Sequence, residues 1–389
     1  MIDMITTDMV NGSIIYFDNA ATTPLCNSAR EILLQDFANP SSPHALGLIA
    51  ERAIKSAAKE LSNILSCRSD EIIFTSGGTE SNNLGILGAA FGLKAARGRN
   101  RPMHILATDQ EHPSVTEPLG YLASLPGFSV TYAAPSKWEA HICENTAMIC
   151  ITQVGSETGD IFDISLIKKR FPETVVFVDG AQGFCKVDQQ LTGIDIYAFS
   201  GHKIHGPMGI GGLMVRKESG LRLQPIIYGG GQQNRMRPGT ENVSGILAMA
   251  ASVKEQTYYK SKIEQEQPHR HIKNIKNILI TLEHELPDTY INQVTNNVSP
   301  YILNMSFLGV RGETLTSMLS DHSICVSMGT ACRTNKKASA LESMGFSRER
   351  AESAVRLSFS NMNTEKEALQ AKEIIKSCVL ALRKIKPRK

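Results

Sequence analysis

Ala198-Phe199-Ser200-Gly201-His202-Lys203-Ile204-His205-Gly206-Pro207 follows an apolar run that begins at Ile194, so it reads as the exit of a buried strand. Lys203 lies where a rigid sheet hands over to a tight loop, with Ser200 and His202 before it and Gly206, Pro207, Gly209, Gly211 and Gly212 after it. A lysine held out of water there loses the hydration of its charged form, so its pKa falls and the amine becomes a nucleophile. On this fragment alone the opposite reading also stands, because lysines after strands are mostly solvated.

The sequence on either side repeats one pattern, an apolar run, then small polar residues, then helical spacing. Glu71-Ile72-Ile73-Phe74-Thr75 predicts a strand, Ser76 to Ser81 a turn with Gly77, Gly78 and Thr79, and the residues to about Ala96 a helix. That order aims free backbone N–H groups at an anion; a plain cap by Ser76 or Thr79 is an equal reading. His104 to Thr108 predicts the next strand, and His112 follows its end, on the edge that carries ligands in open α/β sheets. An imidazole there can stack on a heteroaromatic ring and pass a proton, or serve the fold alone. Thr174-Val175-Val176-Phe177-Val178 suits a strand covered on both faces, and Asp179 closes it. A carboxylate at that mouth is costly without a cationic or N–H partner. A protonated pyridine nitrogen is such a partner; a helix-cap role explains the loop but not the cost. Asn39-Pro40-Ser41-Ser42-Pro43-His44 is a loop before the helical spacing of Leu46 to Leu65, offering its amide and hydroxyls to a small polar substrate or to local turn bonds.

Strands separated by helical stretches from Ser28 to Val215 imply an α/β fold with a largely parallel sheet covered by helices. With 389 residues, two domains are expected: a large one over residues 14–255 and a smaller α+β one over 256–389, the N-terminal arm, residues 1–27, associating with the smaller. A net charge of +3 argues for neither nucleic-acid nor membrane partners, and the short basic tail from Leu382 reads as a solvated end. The first ten residues lack a signal-peptide pattern, and no run is long enough to span a bilayer. The eight cysteines include no Cys-x-x-Cys pair, which fits a reducing cytoplasm and gives no metal or disulfide framework.

In the C-terminal part, Cys325-Val326-Ser327-Met328-Gly329-Thr330-Ala331-Cys332-Arg333 passes from apolar to small and basic residues. Cys332 is expected in an exposed loop beside Arg333, Lys336 and Lys337, surroundings that favour thiolate, though on this segment alone an unremarkable thiol is an equal reading, with Cys325 an inert core thiol. Along Ala354-Val355-Arg356-Leu357-Ser358 the residues alternate, so Arg356 is expected to point away from the apolar face, free to grip a carboxylate or to form a surface ion pair. The glycine-rich Tyr228 to Thr240 loop lacks the strand and helix of a dinucleotide fingerprint.

A nucleophilic lysine, a turn for a phosphate, a carboxylate for a pyridinium and an imidazole for a ring face are together what pyridoxal phosphate (PLP) requires. Taken in order, Tyr16-Phe17-Asp18-Asn19-Ala20-Ala21-Thr22-Thr23-Pro24, Asn39-Pro40-Ser41-Ser42, Phe74 to Ser81, Glu111-His112, Val178-Asp179-Gly180-Ala181-Gln182, Ser200-Gly201-His202-Lys203, Arg237-Pro238-Gly239-Thr240 and Gly329-Thr330-Ala331-Cys332 resemble the cysteine desulfurases of the NifS/IscS type. These are class V aminotransferases within the fold-type I PLP enzymes, and the resemblance runs from Ile15 to about Leu382. It implies that Lys203 holds PLP as a Schiff base and moves the substrate's Cα proton, and that Asp179 pairs with the pyridinium. Gln182 would bond the ring oxygen, and His112 would stack on the ring. Gly78, Thr79, Ser200 and His202 would hold the phosphate, with Thr240 reaching across a homodimer. Asn39 and Arg356 would bind the carboxylate of L-cysteine, and Cys332 would take its sulfur as a persulfide, releasing alanine, for a sulfur-acceptor protein.

Two departures stand out. Where the family has Val-Asn-Asn-Glu-x-Gly, this chain has Val154-Gly155-Ser156-Glu157-Thr158-Gly159, so Ser156 replaces the asparagine near the ring oxygen and can donate one hydrogen bond. The chain also stops at Lys389 without the longer tail that housekeeping members use to dock an iron–sulfur scaffold, so another acceptor pathway, tRNA thiolation or DNA phosphorothioation, is open beside iron–sulfur assembly. Two competing readings remain at this point: a selenocysteine lyase or other PLP lyase, and an inactive partner-binding subunit with the same fold.

Overall fold

The computed structural model describes residues 14–98, 100–188, 191–263, 269–329 and 340–385. Strand β1 (Ile15–Tyr16) precedes helices α1 (Asn27–Leu33) and α2 (Ala45–Leu65). Strands β2 (Ile72–Thr75), β3 (Met103–Ala107), β4 (Phe128–Tyr132), β5 (Thr146–Thr152), β6 (Val175–Asp179), β7 (Ile196–Ser200) and β8 (Gly211–Val215) follow, with α3 (Gly78–Arg97) after β2 and α4 (Pro113–Ser124) after β3. These seven strands form one sheet in the order β2-β8-β7-β6-β5-β3-β4. Every neighbouring pair is parallel except the two that β8 makes, with β2 and with β7.

Period-two alternation divides the side chains between two apolar faces. Ile149, Ile151, Val176, Val178, Tyr197 and Phe199 pack in one cluster with α2 and with Val243, Ile246 and Met249 of α5 (Val243–Ile263). Met148, Cys150, Val175, Phe177, Ile196 and Ala198 pack in the other with Leu84 and Ile86 of α3 and Val115 and Leu119 of α4. A sheet covered on both faces reads as near-continuous apolar runs, and β3, β5, β6 and β7 are buried at every position. Strand β8 can lie antiparallel against the turn after β2 because Gly211 has no side chain: a Cβ there would come within 2.7 Å of Gly77 Cα.

Two compact units divide the chain. The sheet unit comprises Leu25–Val154 and Phe162–Tyr259; the other takes the chain before Leu25, Gly155–Ile161 and the residues from Lys260 on. The sheet unit is therefore not one continuous run over 14–255, since a short excursion leaves it after β5. The excursion is anchored in the second unit by Asp160, fully buried, which accepts from Val294 N at 2.9 Å and Thr295 N at 2.7 Å. That unit contains α6 (Arg270–Ile280), α7 (Gly312–Asp321) and α8 (Glu365–Lys384). Its strands β9 (Thr289–Ile291), β10 (Ile302–Phe307), β12 (Ser327–Met328) and β13 (Ala354–Ser358) form an antiparallel sheet in the order β12-β13-β10-β9, while β1 pairs parallel with β11 (Ile324–Cys325). Among the described residues no helix is long and apolar enough to cross a membrane.

Phe177 is fully buried in the middle of β6. Phe177→Ala is expected to destabilise the sheet unit by about 3–5 kcal/mol, the transfer loss plus a cavity, read as a lowered urea midpoint.

Candidate active site

The sheet's polar residues gather where its strands stop. After β2, Gly77 takes φ +151° and serves as the N-cap of α3 with no side-chain cap bond, so neither Ser76 nor Thr79 caps this helix, and a helix start without a side-chain cap can receive an anion. A Cβ on Gly78 would lie 3.6 Å from the Cβ of Ser200 and 3.9 Å from that of Ala181, which brings the helix start beside the ends of β7 and β6. Ser200 is buried, and its Oγ has no hydrogen-bond partner among the described residues. His202 follows in the turn Gly201–Lys203. Burial draws its pKa down to about 4, with Lys203 and then Lys186 adding to the effect, so the ring is neutral near pH 7.

Asp179, at the end of β6, is buried and held from two sides: Ala181 N donates to Oδ1 at 2.9 Å, and Asn82 Nδ2, from α3, to Oδ2 at 2.9 Å. Gln182 is also buried, with Lys186 Nζ 3.3 Å from its Oε1. Past β3, His112 is the N-cap of α4. Its Nδ1 accepts from Ser114 N at 3.1 Å and lies 2.7 Å from Ser114 Oγ. The ring keeps an exposed side, yet the groups packed around it lower its pKa. Desolvation is the largest cause; Asp179 opposes it and Lys203 adds to it. Glu111 beside it is fully enclosed: Oε1 accepts from Thr108 Oγ1 and from Thr152 N at 2.7 Å, and burial pushes its pKa up to about 8.

The family comparison agrees with this geometry. The aminotransferase class-V model matches residues 15–370. A cysteine desulfurase IscS of Buchnera aphidicola subsp. Schizaphis graminum is 35% identical, over 96% of this chain and 94% of its own. The chain belongs to the class-V aminotransferase family, among the cysteine desulfurases of the NifS/IscS type. Among solved structures, a NifS-like protein superposes with a TM-score of 0.83 at 29% identity, over 96% of this chain and 100% of its own. SspA in complex with cysteine gives 0.72 at 30% identity, over 89% and 98%.

In this class-V aminotransferase chain the sheet unit draws Gly78, Ser200, Asp179, Gln182, His112, His202 and Lys203 to the strand ends. Thr79 is exposed on the first turn of α3, and Thr240 is exposed on a loop held by the Arg237–Glu80 ion pair at 2.9 Å. Asn39 is exposed, and its Oδ1 accepts from Ser41 N at 2.9 Å, so its carbonyl serves the local turn. In the second unit Arg356 does not point outward from an apolar face: β13 is buried at every position and Arg356 is 8% exposed. Its charge is met by Asp18 at 3.4 Å and Glu157 at 3.7 Å, and NH1 donates to Ser156 O at 3.0 Å. Cys325 is half-buried rather than in the core; burial and then Asp18 push its thiol pKa up. Cys332 lies outside the described residues. Sequence reasoning missed Asn82 and Ser114; the one available signal was an amide within the polar first turns of α3, at a position that faces the sheet.

The buried groups make stability depend on pH in two opposed ways. The folded pKa of His202 is about 4 against 6.5 when unconstrained, so in that window the unfolded chain binds the extra proton and stability falls as pH drops. The folded pKa of Glu111 is about 8 against 4.5, so the folded chain binds the extra proton there and stability falls as pH rises. In cofactor-free protein, His202→Asn is expected to flatten the acid-side decline of the urea midpoint and Glu111→Gln the decline toward pH 8.

Proposed function

We propose that the protein is a PLP-dependent cysteine desulfurase. It removes sulfur from L-cysteine, releases L-alanine and carries the sulfur as a persulfide on Cys332 for an acceptor protein. The observation that carries the cofactor assignment is the buried Ser200 hydroxyl without a partner beside the uncapped start of α3. An unpaired buried polar group costs about 1–3 kcal/mol, and a phosphate oxygen satisfies both features. Asp179 fits the same group, since its two fixed oxygens retain lone pairs for one further N–H donor.

In this reading Gly78, Thr79, Ser200 and the neutral His202 hold the phosphate, joined by Thr240 from the second subunit of a homodimer. Asp179 would accept from the pyridinium, Gln182 and Ser156 would donate to the ring oxygen, His112 would meet the ring face and Lys203 would hold the group covalently. When bound, PLP supplies an electron sink for charge that develops at the substrate's Cα. Lys203 takes and returns the Cα proton. Arg356, whose buried Nε has no partner among the described residues, and Asn39 hold the substrate carboxylate. The thiolate of Cys332 bonds to the substrate sulfur. The Cβ–S bond breaks with its electron pair left on Cβ, which takes a proton to become the methyl of alanine, while the sulfur remains as Cys332-S-SH.

The likeness to IscS and to SspA holding cysteine supports the substrate. The setting we assign is cytoplasmic, with the acceptor a protein of iron–sulfur assembly, tRNA thiolation or DNA phosphorothioation.

Cys332→Ser is expected to keep the visible absorption of bound PLP and to lose sulfide release from L-cysteine with a reductant present. Undiminished sulfide would show a lyase that needs no enzyme thiol, and wild-type protein that stays colourless after PLP is added would show an inactive subunit.

A further inference from the structure

Asn82 is 1% exposed and sits in the second turn of α3. Its Nδ2 donates twice, to Asp179 Oδ2 at 2.9 Å and to Ser114 Oγ at 2.8 Å. Turning the amide over would set its Oδ1 against the Asp179 carboxylate, acceptor on acceptor, so one orientation is fixed. Ser114 Oγ, having received the amide hydrogen, has its own hydrogen to give, and His112 Nδ1 is 2.7 Å away. The same Nδ1 already accepts from Ser114 N. Two donors thus converge on one ring nitrogen, and the ring's proton is confined to Nε2.

We propose that Asn82 is a positioning residue: by directing the Ser114 hydroxyl hydrogen onto His112 Nδ1 it holds the imidazole as the Nε2–H tautomer, while the other hydrogen of the same amide fixes the Asp179 carboxylate. One side chain therefore sets both the group that meets the pyridinium and the group that meets the ring face. The assignment of those two partners rests on the proposed reaction; the state of the imidazole does not. Among the described residues the charged groups that bear on His112 are Asp179 from the end of β6 and Lys203 from the turn after β7, while Glu111, the residue before it, holds its proton up to about pH 8. Glu117, one turn along α4, lines the same surface cavity. Asp179 favours the protonated ring and Lys203 opposes it. Without Asn82 the hydroxyl can turn and accept from Nδ1–H, so protonating the ring then breaks only the backbone bond.

The test uses full-length protein labelled with ¹⁵N-histidine, with and without PLP, and follows the His112 ring nitrogens through a pH titration, His112→Gln identifying the signals. The wild type is expected to show the Nε2–H pattern and a midpoint below the ordinary histidine range. Asn82→Ala and Ser114→Ala are both expected to give mixed tautomers and a higher midpoint, with melting profiles recorded alongside. A role in packing alone would lower the melting temperature and leave the titration in place. Wild-type tautomer and midpoint in both variants overturn the proposal; should Asn82→Ala fail to fold, an unchanged titration in Ser114→Ala overturns it. Loss of the desulfurase reading, with wild-type protein inert toward cysteine, would leave these nitrogen signals to decide independently.

Discussion

A sheet that is apolar on both faces can carry charge only where its strands stop. Strands β2, β3, β6 and β7 run in the same direction, so the residues that follow them collect on one edge. That edge receives the uncapped helix start after β2, His112 after β3, Asp179 at the end of β6 and Ser200 to Lys203 after β7. The site is thus a consequence of the core: the strand interiors bury mostly apolar residues, and Asp179 and Ser200 take the last paired positions of β6 and β7.

Crowding these groups into one place requires that few of them be charged together. Partial desolvation keeps both imidazoles neutral, and Lys203 reinforces it in each case. Glu111, enclosed beside the histidine, avoids a second negative charge near Asp179 by holding its proton well above the usual carboxyl range. Asp179, fixed by Ala181 N and Asn82 Nδ2, keeps lone pairs for a further N–H donor.

Much of this was legible in the sequence because it follows from local periodicity. The run around Val175 reads as a strand covered on both faces and the run from Ile194 as a buried strand, and the residues just past each are the polar ones. What was not legible depended on partners far along the chain. Asp160 takes Gly155–Ile161 into the second unit by accepting backbone N–H groups of Val294 and Thr295, and a backbone donor leaves no mark on the sequence. Asn82 sits among Thr79, Glu80, Ser81 and Asn83, so it reads as one more polar residue of a solvated first turn. Twofold alternation along Ala354–Ser358 misplaces Arg356, because β13 lies between β12 and β10 and is buried at every position.

The surroundings of Arg356 bear on the choice between an ion pair that serves the fold and a receptor for substrate. A buried guanidinium kept for structure is expected to have its donors used, since each one left over costs on the order of 1–3 kcal/mol. Here the cation is met by Asp18 at 3.4 Å and Glu157 at 3.7 Å, long for charge-assisted bonds. Among the described residues only the bond to Ser156 O, at 3.0 Å, is of ordinary length, and Nε has no partner there. Loosely held charge with an open donor is a state that a carboxylate would complete, and the two acidic residues offset the buried cation. The same carbonyl belongs to Ser156, the residue at which this chain departs from its family, so the backbone there orients the arginine whatever side chain the position carries.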